Sequence, residues 1–251
     1  MITYILLIFF ALAPSTIWLL FYLRKDVHPE SNRMILKIFF LGALAVVAAY
    51  FIEIGLSALI DRLSISNPAL NALIYWFLGI ALVEELCKYW VVKSQIFKSE
   101  ELDEPLDLML YMMISALGFA ALENIVVFLS LKSEFLLWET FAVGVFRFLG
   151  ATFLHALASG LFGYYLVLHF YEPKKKLRYF LAGLTLAILF HGLFNLSIAN
   201  PELIYKPLDS IINIKGIVRF LIPVILLASL AIFVSLAFKK TKELKGVCKQ
   251  R

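Results

Sequence analysis

The chain has 251 residues, of which 62% are hydrophobic and only 16% charged, with a mean hydropathy of +0.90. Soluble domains of ordinary usage are about half apolar and about a quarter charged, so the composition excludes a water-soluble globular enzyme, and the apolar runs leave no room for a separate soluble domain. A net charge of +5 and a pI near 9.1 do not indicate nucleic acid as partner, because the lysines and arginines flank apolar segments instead of forming a patch with interleaved aromatics.

A helix crosses the bilayer core with roughly 20 apolar residues. Seven runs come near or exceed that length: 2–23, 34–60, 72–96, 106–131, 140–170, 178–198 and 215–238. The first, beginning MITYILLIFF, has no basic leader and no small-residue cleavage site, and reads as a retained helix. Polar connectors separate the runs: RKDVHPESNR, DRLSISNP, KSEELDEP, LKSEFLLWE, YEPKKKLR and NPELIYKPLDS. Pro29, Pro68, Pro105, Pro173 and Pro201 fall in them, where proline ends helices at little cost. The fifth run is too long for one straight crossing, so it begins along the interface or lies tilted. The expected fold is all-α, a polytopic transmembrane bundle of about seven to eight spans. It forms one domain over 1–251, with a core at about 72–198 and a basic tail at 239–251. Cys87 and Cys248 lie far apart in the chain and do not suggest a disulfide.

Orientation follows from the bias of basic residues toward the cytoplasm. Sixteen lysines and arginines lie in connectors one, three and five, at their flanks and in the tail, against five on the other side. That bias sets the N-terminus outside and the tail inside.

The spans contain Glu53, Glu84, Glu85, Lys88, Glu123, Arg147, His155 and His191. Each ionisable group at mid-bilayer costs about 2.5–3.5 kcal/mol on insertion scales. Two uncompensated ones would rival the net stability of a domain, so these groups must face one another or a wet cavity. Helical spacing sorts them. Glu84 shares a face with Lys88, while Glu85 is expected to point about 100° away. His155 pairs in the same way with Ser159, His191 with Asn195 and Phe119 with Glu123; Arg147 lies two turns before His155. At 1.5 Å per residue, Glu123, His155 and His191 each fall roughly 10–15 Å below the outer face, and Glu84 at a similar depth. The four polar stripes are therefore expected to converge.

In order, E84-E85-x-x-K88, F119-x-x-x-E123-N124, R147 followed by H155-x-x-x-S159, and H191-x-x-x-N195 resemble the motifs of the PrsW family of intramembrane proteases. That family is allied to the type II CAAX prenyl endopeptidases and to bacteriocin-processing proteins. The resemblance runs from about residue 80 to 196. CAAX-type proteins carry histidine where this chain has Glu123, and usually arginine near Lys88; PrsW-like sequences have the glutamate. The resemblance implies a membrane-anchored regulatory protein, such as a single-pass anti-sigma factor, as substrate. Site-1 cleavage in the plasma membrane of a prokaryote is the implied event.

Peptide hydrolysis needs an activated water and donors for the developing oxyanion. On this reading Glu84 is the general base, acting without a metal, and Glu85 orients water or substrate. His155 or His191 assists, and Asn195 donates to the oxyanion. Lys88, Glu123, Asn124, Arg147 and Ser159 support them, Lys88 and Arg147 as counter-charges. A zinc site on the same histidines and a carboxylate is the rival mechanism. A transporter and a non-catalytic membrane scaffold are the other function classes, although the inverted repeats and broken helices of carriers are not evident. Glu53 stands apart from every motif and reads as structural or cavity-lining. Cys87 has no same-face histidine to make it a nucleophile, and His28 and His169 read as incidental.

Overall fold

The computed structural model describes residues 2–26, 28–130, 137–199 and 214–244, and the chain is helical nearly throughout them. In chain order the helices are α1 (Ile2–Leu23), α2 (Asn32–Arg62), α3 (Pro68–Ile74), α4 (Leu82–Gln95), α5 (Pro105–Ser130), α6 (Leu137–Leu149), α7 (Ala151–Tyr171), α8 (Lys176–Ile198) and α9 (Ile214–Glu243). A π-helical turn, Tyr75–Ala81, fuses α3 to α4. Six helical stretches are long and apolar enough to cross a membrane, α3–α4 and Phe141–Tyr171 each counting as one, and a shorter apolar stretch, Leu7–Leu23, precedes them. Phe51, Trp90, Leu177, Ile225 and Leu236 are all exposed on the outer surface, as a lipid solvent demands.

Local chemistry sets the helix ends. The Ser31 hydroxyl accepts from the Met34 amide to start α2, and the Asn67 side chain accepts from Ala69 and Leu70 with Pro68 as the first helical residue of α3. Such caps satisfy amides that the first turn leaves unpaired.

The centre of the bundle is α5, whose side chains from Leu106 to Ala121 are all buried. Two glycines let α2 lie backbone to backbone against it. A Cβ on Gly118 would overlap the Phe39 carbonyl, and one on Gly42 would overlap the Ser115 carbonyl. On the other side α7 approaches as closely, since a Cβ at Gly163 would stand 2.7 Å from the Cα of Met109. Phe119 and Asn124 are thus buried in the middle of the molecule, and Glu123 between them is partly exposed. The first helix docks through Trp18, which stacks on Phe153 at 4.1 Å and Phe148 at 5.3 Å and donates its indole N–H to the Phe148 carbonyl at 2.9 Å.

The long fifth run is two helices, broken at Gly150, where φ is −106° and ψ −95°. The Gly150 amide still donates to the Phe146 carbonyl at 2.8 Å, so the break bends the run without leaving that amide unpaired. The C-terminal helix runs through Glu243, further than the expected start of a tail at 239. Its Thr241 is buried and its hydroxyl donates to the Met109 sulfur at 3.4 Å. Lys132, Pro201, Lys206 and Cys248 lie outside the described residues.

At the end of the bundle where α1 meets α2, the Tyr111 hydroxyl donates to Glu30. Asp107 accepts from the backbone amides of Asp103 at 2.9 Å and Glu104 at 2.6 Å. Burial pushes the Glu30 carboxyl up to about 7. The exposed His28 ring lies 2.5 Å from Glu104, and the His169 ring faces the Lys176 carbonyl, so both histidines stay away from the polar cluster described next.

Candidate active site

The π-turn is the local feature that aims the acidic pair. The Leu82 amide donates to the Phe77 carbonyl, five residues back, which adds one residue to a helical turn just before Glu84. Gly192 makes room for that turn: a Cβ there would lie 2.8 Å from the Phe77 ring. The sequence carries no periodic signal for such a turn. π-Turns recur at functional sites, where they change the face a helix presents.

From this start Glu84, Glu85 and Lys88 all point inward and are buried. The Lys88 ammonium lies 3.1 Å from Glu84 Oε2, 2.8 Å from Glu85 Oε1 and 2.8 Å from His155 Nδ1, and 4.5 Å above the Phe119 ring. Glu85 therefore does not diverge from the pair, because the long lysine side chain spans both the i−3 and the i−4 positions. Glu85 is wholly enclosed: Oε1 also meets His191 Nδ1 at 2.9 Å, and Oε2 accepts from the Ser159 hydroxyl at 3.0 Å. It orients an imidazole and a lysine, and has no open edge for substrate.

His155 on α7 is fixed from its far nitrogen. Nε2 lies 2.8 Å from Glu123 Oε2, and Arg147 reaches Glu123 Oε1 at 3.1 Å. The Asn124 side chain makes no hydrogen bond to Glu123 among the described residues. It accepts from Arg147 Nε and donates at 3.1 Å both to the Thr152 hydroxyl and to the Ala11 carbonyl of α1. Thr152 and Ser115, whose hydroxyl donates to the Lys88 carbonyl, belong to this framework and were not anticipated from sequence, since neither lies in a recognisable motif. Cys87 is half-buried beside Ala49, Val83 and Phe119.

The two imidazoles meet edge to face, 5.0 Å apart. Each is held at one nitrogen by a carboxylate, Glu123 for His155 and Glu85 for His191. Each turns its other nitrogen to the same oxygen: His155 Nδ1 and His191 Nε2 are both 3.7 Å from Glu84 Oε2. One donor atom from each of Glu84, His155 and His191 falls within 4.8 Å of the others, a spacing that one small cation could bridge. Asn195 lies one turn beyond His191, half-buried and without a hydrogen bond among the described residues. Side-chain exposure rises from none at Glu85 to 10% at Glu84 and 31% at Glu123, so the cluster opens toward the C-terminal end of α5.

A family model described as "PrsW family intramembrane metalloprotease" matches residues 30–233. Among curated proteins, "Protease PrsW" of Geobacillus kaustophilus is 32% identical over 175 residues, covering 70% of this chain and 71% of the relative. The protein of the same name from Oceanobacillus iheyensis is 32% identical over 191 residues, 73% and 79% of the two chains. That from Bacillus subtilis is 27% identical over 176 residues, 70% and 74%. No solved structure matches. The order of the four motifs, their meeting around Glu84 and a family match spanning most of the chain agree: this protein belongs to the PrsW family of intramembrane proteases.

Proposed function

We propose that the chain cleaves a peptide bond of a single-pass, membrane-anchored regulatory protein, such as an anti-sigma factor. In this reading Glu84, His155 and His191 hold a divalent metal ion, zinc by the donor set. The observation that carries it is the pair of 3.7 Å separations from Glu84 Oε2 to one nitrogen of each imidazole, with the other nitrogen backed by a carboxylate. Two histidines and a carboxylate are a ligand set of zinc hydrolases, which keep a fourth position open. Carboxylate-backed imidazoles are the usual support around such ligands. Among the described residues Glu84, Glu85 and Glu123 face two permanent cations, Lys88 and Arg147, which leaves one negative charge unmatched. Bound there, the ion would polarise the scissile carbonyl and acidify a water.

The protein's own groups have distinct tasks. Glu85 keeps a proton on Nδ1 of His191, leaving Nε2 as a lone pair, and Glu123 does the same from the other end of His155. Arg147, aimed by Asn124, neutralises Glu123. Lys88 holds Glu85, and it would have to release His155 Nδ1 for that nitrogen to hold an ion. Glu84 Oε1, which has no partner among the described residues, takes the proton of the attacking water. The free amide of Asn195 donates to the oxyanion. The bias of basic residues supports an N-terminus outside the plasma membrane of a prokaryote, with residues 239–251 in the cytoplasm.

The test is elemental analysis of purified protein together with cleavage of a co-reconstituted single-pass substrate. Stoichiometric zinc is expected, with cleavage lost on chelation and restored by zinc. Metal-free protein that cleaves in a strong chelator would remove the metal reading. It would leave Glu84 as a base acting without metal, a reading favoured by the Lys88 ammonium already facing His155 Nδ1 at 2.8 Å. In both readings Glu84→Gln inserts normally and does not cleave.

A further inference from the structure

Glu53 is a mid-span carboxylate that the mechanism above does not use. It lies on α2 among residues that face lipid: Tyr50, Phe51, Ile52 and Ile54 are 48–67% exposed. Yet its own face of the helix turns inward. Ala49, one turn before it, is buried against Val83 and Phe119, with Leu56 and Cys87 packed alongside. Val83 adjoins Glu84, and Phe119 is one turn before Glu123. Among the described residues Glu84, Glu123, Lys88 and Cys87 lie within electrostatic reach of Glu53. Glu84 and Glu123 are the two carboxylates of the cluster with exposed side-chain surface. Glu53 therefore stands at the rim where the cluster opens.

Its position differs from that of the other acids in one respect. Glu84 and Glu85 share Lys88, and Glu123 has Arg147. Glu53 is half-buried and has neither a hydrogen bond nor an ion pair among the described residues. A lone carboxylate on a membrane-spanning helix is strongly disfavoured and calls for a partner. Among the described residues Glu53 belongs to no group of three metal-ligating side chains, so it is not a metal site of its own. Glu84 and Glu123 are already matched by Lys88 and Arg147, so Glu53 is the acid at this rim left to receive a cation, in a medium that screens poorly.

We propose that Glu53 selects the substrate by charge, pairing with a lysine or arginine side chain of the substrate close to the scissile bond. This rests on the protease reading and assigns α2 the outer wall of the substrate path. The probe is a set of apolar single-pass peptides that carry one Lys, Gln or Glu scanned along the outer half of the span. Lys and Gln versions compete in one vesicle preparation, and the ratio of their cleavage rates is read by mass spectrometry. That ratio is independent of how much enzyme is folded. Wild type should prefer Lys by tenfold or more at one or two adjacent positions. Glu53→Gln should bring the ratio near one, and Glu53→Lys should favour the Glu peptide at the same positions. Cleavage by wild type with no preference for Lys, or a preference that survives Glu53→Gln unchanged, would overturn the proposal while leaving the protease reading intact. No cleavage of any peptide by a wild type that melts cooperatively would overturn both.

Discussion

Replacing Lys88 by methionine tests whether the cluster holds together as its geometry implies. The ammonium is fully buried and is the nearest cation to both Glu84, at 3.1 Å, and Glu85, at 2.8 Å. Methionine keeps nearly the same length and removes the charge, leaving two carboxylates in a low-dielectric interior without the ammonium that both of them face. Breaking a buried ion pair from one side typically costs about 3–5 kcal/mol, because the remaining charge is stranded. For a chain of this size each kcal/mol moves the melting temperature by about 2–4 °C. Lys88→Met should therefore melt roughly 6–20 °C below wild type in detergent. Adding Glu85→Gln should return much of that loss, since it removes the more deeply buried of the stranded charges. The assay is a double-mutant cycle on thermal unfolding with metal content held constant. A Lys88→Met melt within about 2 °C of wild type, or no recovery in the double variant, would refute the claim that this lysine neutralises the pair.

Asn195→Ala removes an amide without a hydrogen bond among the described residues, so the melt should not move while turnover falls about a hundredfold; equal losses of stability and turnover would refute an oxyanion role. The Glu30 carboxyl titrates near 7 when folded against 4.5 when free, so the folded state holds its proton more tightly. Stability from this group is complete below the free value and declines as pH rises through about 7. Glu30→Gln should flatten the melting temperature between about pH 5 and 8, and an unchanged slope would assign it elsewhere. An introduced cysteine at position 2 should react with impermeant thiol reagents from outside and native Cys248 only from the cytoplasm. Labelling of position 2 from the cytoplasm alone would reverse the proposed orientation.

The seven apolar runs were legible because lipid imposes a length and a polarity on each crossing, and the four motifs because helical spacing of three or four puts side chains on one face. What escaped the sequence was set by neighbours or by backbone irregularity. The reach of Lys88 to both glutamates depends on a flexible side chain, which a helical wheel treats as a fixed spoke. The π-turn at Tyr75–Ala81 has no compositional mark, and the Gly150 break only hinted at itself through the excess length of the run. Asn124 was legible only as a supporting neighbour of Glu123. Its partners on α1, α6 and α7 come from the packing of other helices and from no local pattern. Glu53 looked isolated because its neighbours are contributed by α4 and α5.

The family match begins at residue 30, yet the support of the cluster begins at residue 11. The Ala11 carbonyl receives one Asn124 N–H while the carbonyl oxygen of the same amide steers Arg147 onto Glu123 and, through it, His155. A chain shortened to the matched region would keep every motif residue. It would lose that acceptor and the Trp18 stack on Phe148 and Phe153, the rings on either side of the Gly150 bend. The segment that looks dispensable by sequence comparison is thus the one against which Asn124 is braced, and trimming it should cost His155 its aim before it costs the bundle its fold.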